Sequence, residues 1–145
     1  PKFFMGFNSG VDYKKWTLGF SMRANLGNYI YNAFAASTGA TAGFKFPNYL
    51  GNLSSSVLNT NFKTYQLYSD YYVENGSFLR MDNANLSYNF RKILKGKARL
   101  RVTGNVSNVF VITKYTGLDP EVQGGIDNNF YPRPRVFAFG LNLGF

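Results

Sequence analysis

The sequence contains no cysteine and no histidine among its 145 residues. These absences exclude disulfide bonds and thiol chemistry, and they remove the commonest general base and the usual zinc ligands. We therefore expect no catalytic activity and no cofactor. No stretch approaches the roughly 18 consecutive apolar residues of a membrane-spanning helix, because charged or amide residues interrupt every apolar run. This excludes a helical membrane protein.

The abundant residues are aromatic residues and glycine: 15 Phe, 11 Tyr and 15 Gly, with 45% of all residues hydrophobic. This mixture is rich in strand formers and turn formers, whereas the residues that favour helices are few. The composition therefore predicts an all-β chain. The first residues, Pro1-Lys2-Phe3, show neither an initiator methionine nor a signal-peptide pattern, which we interpret as an excerpt from a longer protein.

Apolar and polar residues alternate along five segments, which predicts strands with one apolar face. In the second segment Trp16, Leu18 and Phe20 share a face opposite Thr17 and Gly19. The predicted strands cover residues 3–10, 16–26, 78–90, 98–107 and 135–145. The end of the fourth strand is blurred by the apolar run at residues 109–112.

The links between these strands alternate short and long. Tight turns are expected at residues 12–15 and 91–97, and long loops at about 28–77 and 113–134. The stretch from Leu53 to Phe62 is consistent with a short helix capped by a serine. Strands of about 10 to 12 residues, tilted near 40°, rise about 25 to 30 Å, the height of the apolar band of an outer-membrane barrel. Alternating links are typical of the same architecture.

Five strands cannot close a membrane barrel, which needs at least about eight, and alone they would leave two apolar edges open. We therefore predict one domain, an antiparallel transmembrane β-barrel of which this chain supplies the C-terminal five strands. A soluble β-domain that binds a ligand has the same alternation and remains an alternative.

Several motifs resemble those of one family, the SusC/RagA-type TonB-dependent transporters. The resemblance is carried by Asn75–Arg80 with Asn83–Tyr88, by Asn105–Phe110, by Lys114–Val122, by Tyr131–Arg135 and by the final Gly140–Phe145. It spans essentially the whole chain and is most specific in the last 70 residues.

The resemblance implies a barrel of about 22 strands in the outer membrane of a Bacteroidetes-type bacterium. It also implies a plug domain and a TonB box upstream of Pro1, import of glycans or peptides, and a SusD-like surface lipoprotein as a lid. Phe145 resembles the C-terminal aromatic residue that the barrel-assembly machinery reads. An alternative is a non-transporting outer-membrane barrel that serves secretion or adhesion.

The net charge of +9 suggests nucleic-acid binding, since basic residues among aromatic rings can contact phosphates and stack bases. Many of the cations fall instead in the two tight turns, where solvated charge is expected. They are Lys14, Lys15, Arg91, Lys92, Lys95 and Lys97. We therefore expect no nucleic-acid partner.

The long loops and the adjoining strand ends hold the candidate site residues. Arg80 and Asp82 lie two apart near the outer end of a strand, which predicts a rim ion pair or a contact with the lid. Three loop carboxylates form a weak calcium candidate, against which solvated loop charge is the alternative: Asp119, Glu121 and Asp127. Exposed aromatic residues can stack on sugars or on a partner, or pack the loop onto itself. The aromatic candidates are Tyr65, Tyr68, Tyr71, Tyr72 and Tyr115.

Overall fold

The computed structural model describes residues 1–44, 54–93, 98–128 and 131–144. Its contacts divide the chain into two compact units, which we call the sheet unit and the loop unit. The sheet unit comprises Pro1–Leu26, Phe78–Thr113 and Arg133–Phe145. The loop unit comprises Gly27–Ser77 and Lys114–Pro132.

The sheet unit is one antiparallel sheet of five long strands. The strands are β1 (Phe3–Tyr13), β2 (Trp16–Leu26), β5 (Phe78–Ile93), β6 (Ala98–Thr113) and β8 (Val136–Gly144). They pair in the order β1-β2-β5-β6-β8, so each strand lies beside the strand of this sheet that precedes it in the chain. Residues 94–97 of the tight turn predicted at 91–97 lie outside the described residues. All five predicted strands are confirmed, and β5 and β6 are longer than predicted, at 16 residues each.

The pairing register aligns apolar residues with apolar residues across the sheet. Phe20 pairs with Ala84, Ala84 with Val106, and Val106 with Phe137. Because directly opposed residues point to the same face, these side chains form a continuous apolar row. Many large side chains of this face are exposed, Phe139 to 86%. A single sheet with an exposed apolar face has the form of part of the wall of a larger barrel.

A β-bulge interrupts the alternation in β5. Ser21 pairs with Asn83, but the next residue, Met22, pairs with Met81, so Asp82 is an extra residue relative to β2. The bulge shifts the phase of the strand, because each inserted residue exchanges the two faces beyond it. Arg80 therefore pairs with Arg23 on the polar face, where uninterrupted alternation would place it among apolar side chains.

The bulge continues into β6 at Asn108. Asn108 adopts a left-handed backbone conformation with φ of 53°, which asparagine tolerates better than most residues do. The register of β5 and β6 shifts at the same point, between Met81 and Asn83. The irregular region therefore crosses two adjacent strands at one height of the sheet.

The loop unit has its own small sheet and its own core. Its strands are β3 (Tyr29–Asn32), β4 (Val73–Asn75) and β7 (Ile126–Asp127), with β3 central, antiparallel to β4 and parallel to β7. Its helices are α1 (Ala33–Thr38) and α2 (Val57–Thr60), with 3-10 turns at Thr41–Phe44, Asp70–Tyr72 and Gln123–Gly125. Its buried apolar and aromatic side chains are Ile30, Ala36, Ala40, Val57, Tyr72 and Tyr115. The irregular loops predicted from sequence are therefore a packed unit.

The two α-helices differ in how their N-termini are capped. The Asn32 side chain caps α1 by accepting a hydrogen bond from the Ala35 amide at 2.9 Å. The short helix predicted between Leu53 and Phe62 is present as α2, although Leu53 itself lies outside the described residues. The predicted serine cap is wrong, because Ser56 at the N-cap position is itself in a helical conformation and makes no side-chain capping bond.

The turn between β4 and β5 depends on a glycine. The Asn75 carboxamide accepts a hydrogen bond from the Ser77 amide at 2.8 Å, and Asn28 donates to the Gly76 carbonyl at 2.9 Å. A Cβ atom at Gly76 would lie 2.5 Å from Cδ1 of Ile30, so any larger residue would displace the core of the loop unit.

Among the described residues, no helix combines the length and the apolar character that crossing a bilayer requires.

Candidate functional site

The loop unit contains a cavity of about 860 Å³. One wall is α1, and a second is formed by Ser54–Ser56 together with Asn59. Tyr71 and Tyr72 form a third wall. The remaining wall combines Glu74 and Asn75 with residues of the second long loop. Hydroxyl, carboxamide and phenol groups lie among apolar surface in this lining, so the cavity can both exchange hydrogen bonds with a ligand and contact its apolar parts.

Glu74 fixes the wall in which the two long loops meet. Its carboxylate accepts hydrogen bonds from the amide of Thr116 at 2.8 Å, from the hydroxyl of Thr116 at 2.7 Å and from the carboxamide of Asn32 at 3.0 Å. Hydrogen bonds to a charged acceptor are about twice as strong as neutral ones. Because Asn32 also caps α1, the same network orients the helix that forms another part of the lining.

Tyr115 lies behind this wall, not on the surface. Its side chain is 5% exposed, and its hydroxyl donates to Oδ2 of Asp127 at 2.5 Å. Burial, this hydrogen bond and the negative charges of Asp127 and Glu74 raise the pKa of the Tyr115 phenol well above its ordinary value. The phenol is therefore neutral at physiological pH and remains a donor to Asp127, which lines the cavity.

The predicted aromatic residues fall into two groups. Tyr71 and Tyr72 line the cavity, and their rings pack edge to face with centroids 5.1 Å apart. Burial raises the pKa of the Tyr72 phenol, and the Tyr71 and Tyr31 phenols add to the effect. Tyr68 is 92% exposed and stacks on Tyr31 outside the lining. Tyr65 is also exposed and lies outside the lining.

The calcium candidates are not gathered into one site. The Asp119 carboxylate accepts from the backbone amide of Glu121 at 2.9 Å, which makes it part of a local turn. Asp127 is engaged by Tyr115. Among the residues that the structure describes, no three acidic side chains form a group that could hold a metal ion. The calcium hypothesis therefore has no ligand cluster to support it.

In the sheet unit, the predicted pair of Arg80 and Asp82 takes two separate partners. Nε and Nη2 of Arg23 donate to the two oxygens of Asp82 at 2.6 and 2.8 Å, a two-pronged ion pair. Arg80, 1% exposed, donates to Oδ1 of Asn108 at 2.8 Å, and Asn108 donates to the carbonyl of Arg133 at 2.6 Å. The bulge thus carries a polar network that joins three strand segments of the sheet unit.

Sequence reasoning missed Arg23 and Asn108 as members of this network. Arg23 is the only cation of β2, on its polar face, which is the signal that could have identified it as the partner of Asp82. Asn108 gives no such signal, since its role depends on the left-handed conformation at the bulge. Phe145 lies outside the described residues.

Comparisons with known proteins agree with this geometry. No protein-family model matches the chain. The chain is 40% identical over 148 residues to the TonB-dependent receptor SusC of Bacteroides thetaiotaomicron, an alignment that covers 97% of this chain and 15% of SusC. The chain belongs to the SusC family of TonB-dependent receptors. A second TonB-dependent receptor, P3 of Formosa agariphila, is 30% identical over the whole chain and 16% of its own length.

Solved structures show the same fold in this family. The RagAB peptide importer in its closed-closed state superposes with a TM-score of 0.77 at 25% identity, covering 98% of this chain and 17% of that one. The RagAB peptide transporter gives 0.78. The SusC-family fold of this chain is thus all-β, five antiparallel strands of a larger barrel. The chain spans about one sixth of the length of these relatives.

Proposed function

We propose that the protein is a TonB-dependent transporter of the bacterial outer membrane that imports a bulky nutrient, a glycan or a peptide. The observation that carries the proposal is the 40% identity to the receptor SusC over nearly the whole chain. The likeness to an importer of peptides, RagAB, supports the same function. In this proposal the protein carries out transport and no catalysis.

The partners follow from the same relationship. We expect TonB to energise uptake through an N-terminal part of the transporter, and a SusD-like lipoprotein to cap the barrel. We expect outer-membrane lipids to contact the apolar face of the sheet unit. The surface candidates for the lipoprotein are the exposed Tyr65 and Tyr68. The buried Arg80 and the partly buried Asp82 instead support the barrel wall.

Within this function, the loop cavity is the candidate contact for the imported solute. Its hydroxyl and carboxamide groups can exchange hydrogen bonds with sugar hydroxyls or with peptide groups, and Tyr71 offers a half-exposed ring. The Glu74 network holds the lining in place before the solute arrives, which reduces the entropic cost of binding.

A genetic test addresses the transport proposal. A strain that lacks the transporter is complemented with the full-length protein or with a version whose TonB box is disrupted, and growth on single glycan or peptide sources is measured. The transporter proposal predicts that growth on at least one source requires the intact TonB box. Equal growth with both versions on every source would favour the alternative, a non-transporting barrel.

Two matched variants of the same full-length protein test the role of the cavity. Tyr71→Ala removes a lining ring, and Tyr68→Ala removes an exposed ring outside the lining. We expect Tyr71→Ala to reduce uptake of the solute that supports growth, and Tyr68→Ala to leave it unchanged. Equal uptake by both variants, at equal surface abundance, would contradict the assignment of the cavity to the solute.

A further inference from the structure

The apolar face of the sheet unit carries a groove of about 590 Å³. Its floor is Gly104, which pairs with Leu86 on one side and with Phe139 on the other. Because glycine has no side chain, the row is open at this point. A Cβ atom added there would lie 3.8 Å from the Phe139 ring, an ordinary contact distance, so a larger residue fits and fills the groove.

Aromatic rings form one wall of the groove along β5 and β2. The Trp16 and Tyr88 rings pack edge to face with centroids 4.6 Å apart, and the Tyr88 and Phe90 rings do the same at 4.5 Å. From Leu86 to Phe90 the wall extends about 13 Å along the strand. Tightly packed rings keep their positions, so the groove is a fixed feature of the surface and suits a hydrocarbon chain.

Two lysines lie at one end of the groove. Lys14 and Lys15 form the turn that precedes Trp16, and both are exposed. The turn is attached to β5, because the Lys15 carbonyl accepts a hydrogen bond from the Asn89 amide at 2.9 Å. Lys14 also keeps its ammonium group 5.2 Å from the centre of the Tyr13 ring. A fixed apolar slot therefore ends beside two positive charges.

We propose that this groove binds one anionic phospholipid, with an acyl chain over Gly104 and the phosphate beside Lys14 and Lys15. The lysines complement a negative headgroup, and the aromatic rings lie where the polar and apolar parts of a lipid meet. The inference rests on the membrane location proposed above but does not depend on transport.

The test uses the purified full-length transporter in detergent, with two probes that share acyl chains. The probes are dioleoyl phosphatidylglycerol, which is anionic, and dioleoyl phosphatidylcholine, which is zwitterionic. Lipid that remains bound is counted by native mass spectrometry. We expect preferential retention of phosphatidylglycerol, its loss in Gly104→Leu, and loss of the preference when Lys14 and Lys15 are both changed to Gln.

The control variant is Ala84→Leu, which enlarges the same face in the neighbouring row without entering the groove. It should retain phosphatidylglycerol as the wild type does. Gly104→Val serves if Gly104→Leu does not assemble, since a branched residue suits a strand. Undiminished retention of phosphatidylglycerol in the Gly104 variant would overturn the proposal. If the Gly104 variant instead loses a receptor dimer that the wild type forms, the groove binds a second copy of the protein and the lipid proposal is wrong.

A second measurement separates this proposal from the membrane location. The transporter is placed in vesicles that contain brominated phosphatidylglycerol or brominated phosphatidylcholine. The quenching of Trp16 fluorescence is obtained by comparison with the Trp16→Phe variant. If both lipids quench Trp16 but the Gly104 variant retains as much lipid as the wild type, the face borders lipid and only the proposed binding groove is wrong. If neither lipid quenches Trp16, the face does not border lipid and the proposed membrane location is wrong as well.

Discussion

Replacement of Glu74 by Gln tests whether the loop unit is organised by this carboxylate. Glutamine keeps one acceptor oxygen, but its amino group must then face either the Thr116 amide or the amino group of the Asn32 carboxamide, and both of these can only donate. Each hydrogen bond to a charged acceptor contributes about 1.5 to 3 kcal/mol. Because Glu74 is only half-buried and one acceptor survives, we expect a loss of about 1 to 2 kcal/mol.

Hydrogen exchange in the full-length protein measures this loss locally. A change of about 1 to 2 kcal/mol alters an opening equilibrium by about 5- to 30-fold, so amides in residues 27–44 and 114–128 should exchange faster by that factor. Asp70→Asn, which removes the same charge at an exposed position of the loop unit, should leave them unchanged. Exchange in Glu74→Gln at the wild-type rate would refute the reasoning.

Two further predictions concern single contacts. Tyr115→Phe removes the donor to the buried Asp127 and should destabilise the loop unit by about 1.5 to 3 kcal/mol, measured by hydrogen exchange. Since the pKa of Tyr115 is raised in the folded state, its contribution to stability is complete below the ordinary phenol pKa of about 10 and declines above it. The difference between the ultraviolet titrations of the wild type and Tyr115→Phe should show ionisation of the Tyr115 phenol only above that pH. Asp82→Asn weakens the ion pair with Arg23 and should lower the heat stability of the folded barrel, whereas Asp12→Asn, at an exposed site, should not.

The strands were predictable because alternation is a local property of the sequence. Trp16–Leu26 and Val136–Gly144 both show it without interruption, and the structure gives both as strands. The bulge at Asp82 was not predictable in this way, because a register shift is fixed by both neighbouring strands. Pairing Arg80 with Asp82 by their spacing therefore missed Arg23, which lies 59 residues away in the sequence.

The loop unit was hidden for a different reason. Its strands contain only two to four residues, too few to show a period, and its main contacts join residues far apart in the chain. Glu74 and Thr116 are separated by 42 residues, and no spacing rule connects them. Tyr115 was predicted as a candidate contact for partner or substrate. In the structure its hydroxyl donates to Asp127, and the sequence of a polar loop does not indicate which carboxylate will accept such a hydrogen bond.

The central position of β3 has a consequence for the exchange of parts between relatives. β3 comes from the first long loop, pairs with β4 of the same loop, and pairs in parallel with β7 of the second. A chimera that imports only one of these loops would place β3 against a foreign partner and separate Glu74 from Thr116. We therefore expect a chimera to keep a folded loop unit only when both long loops come from the same relative.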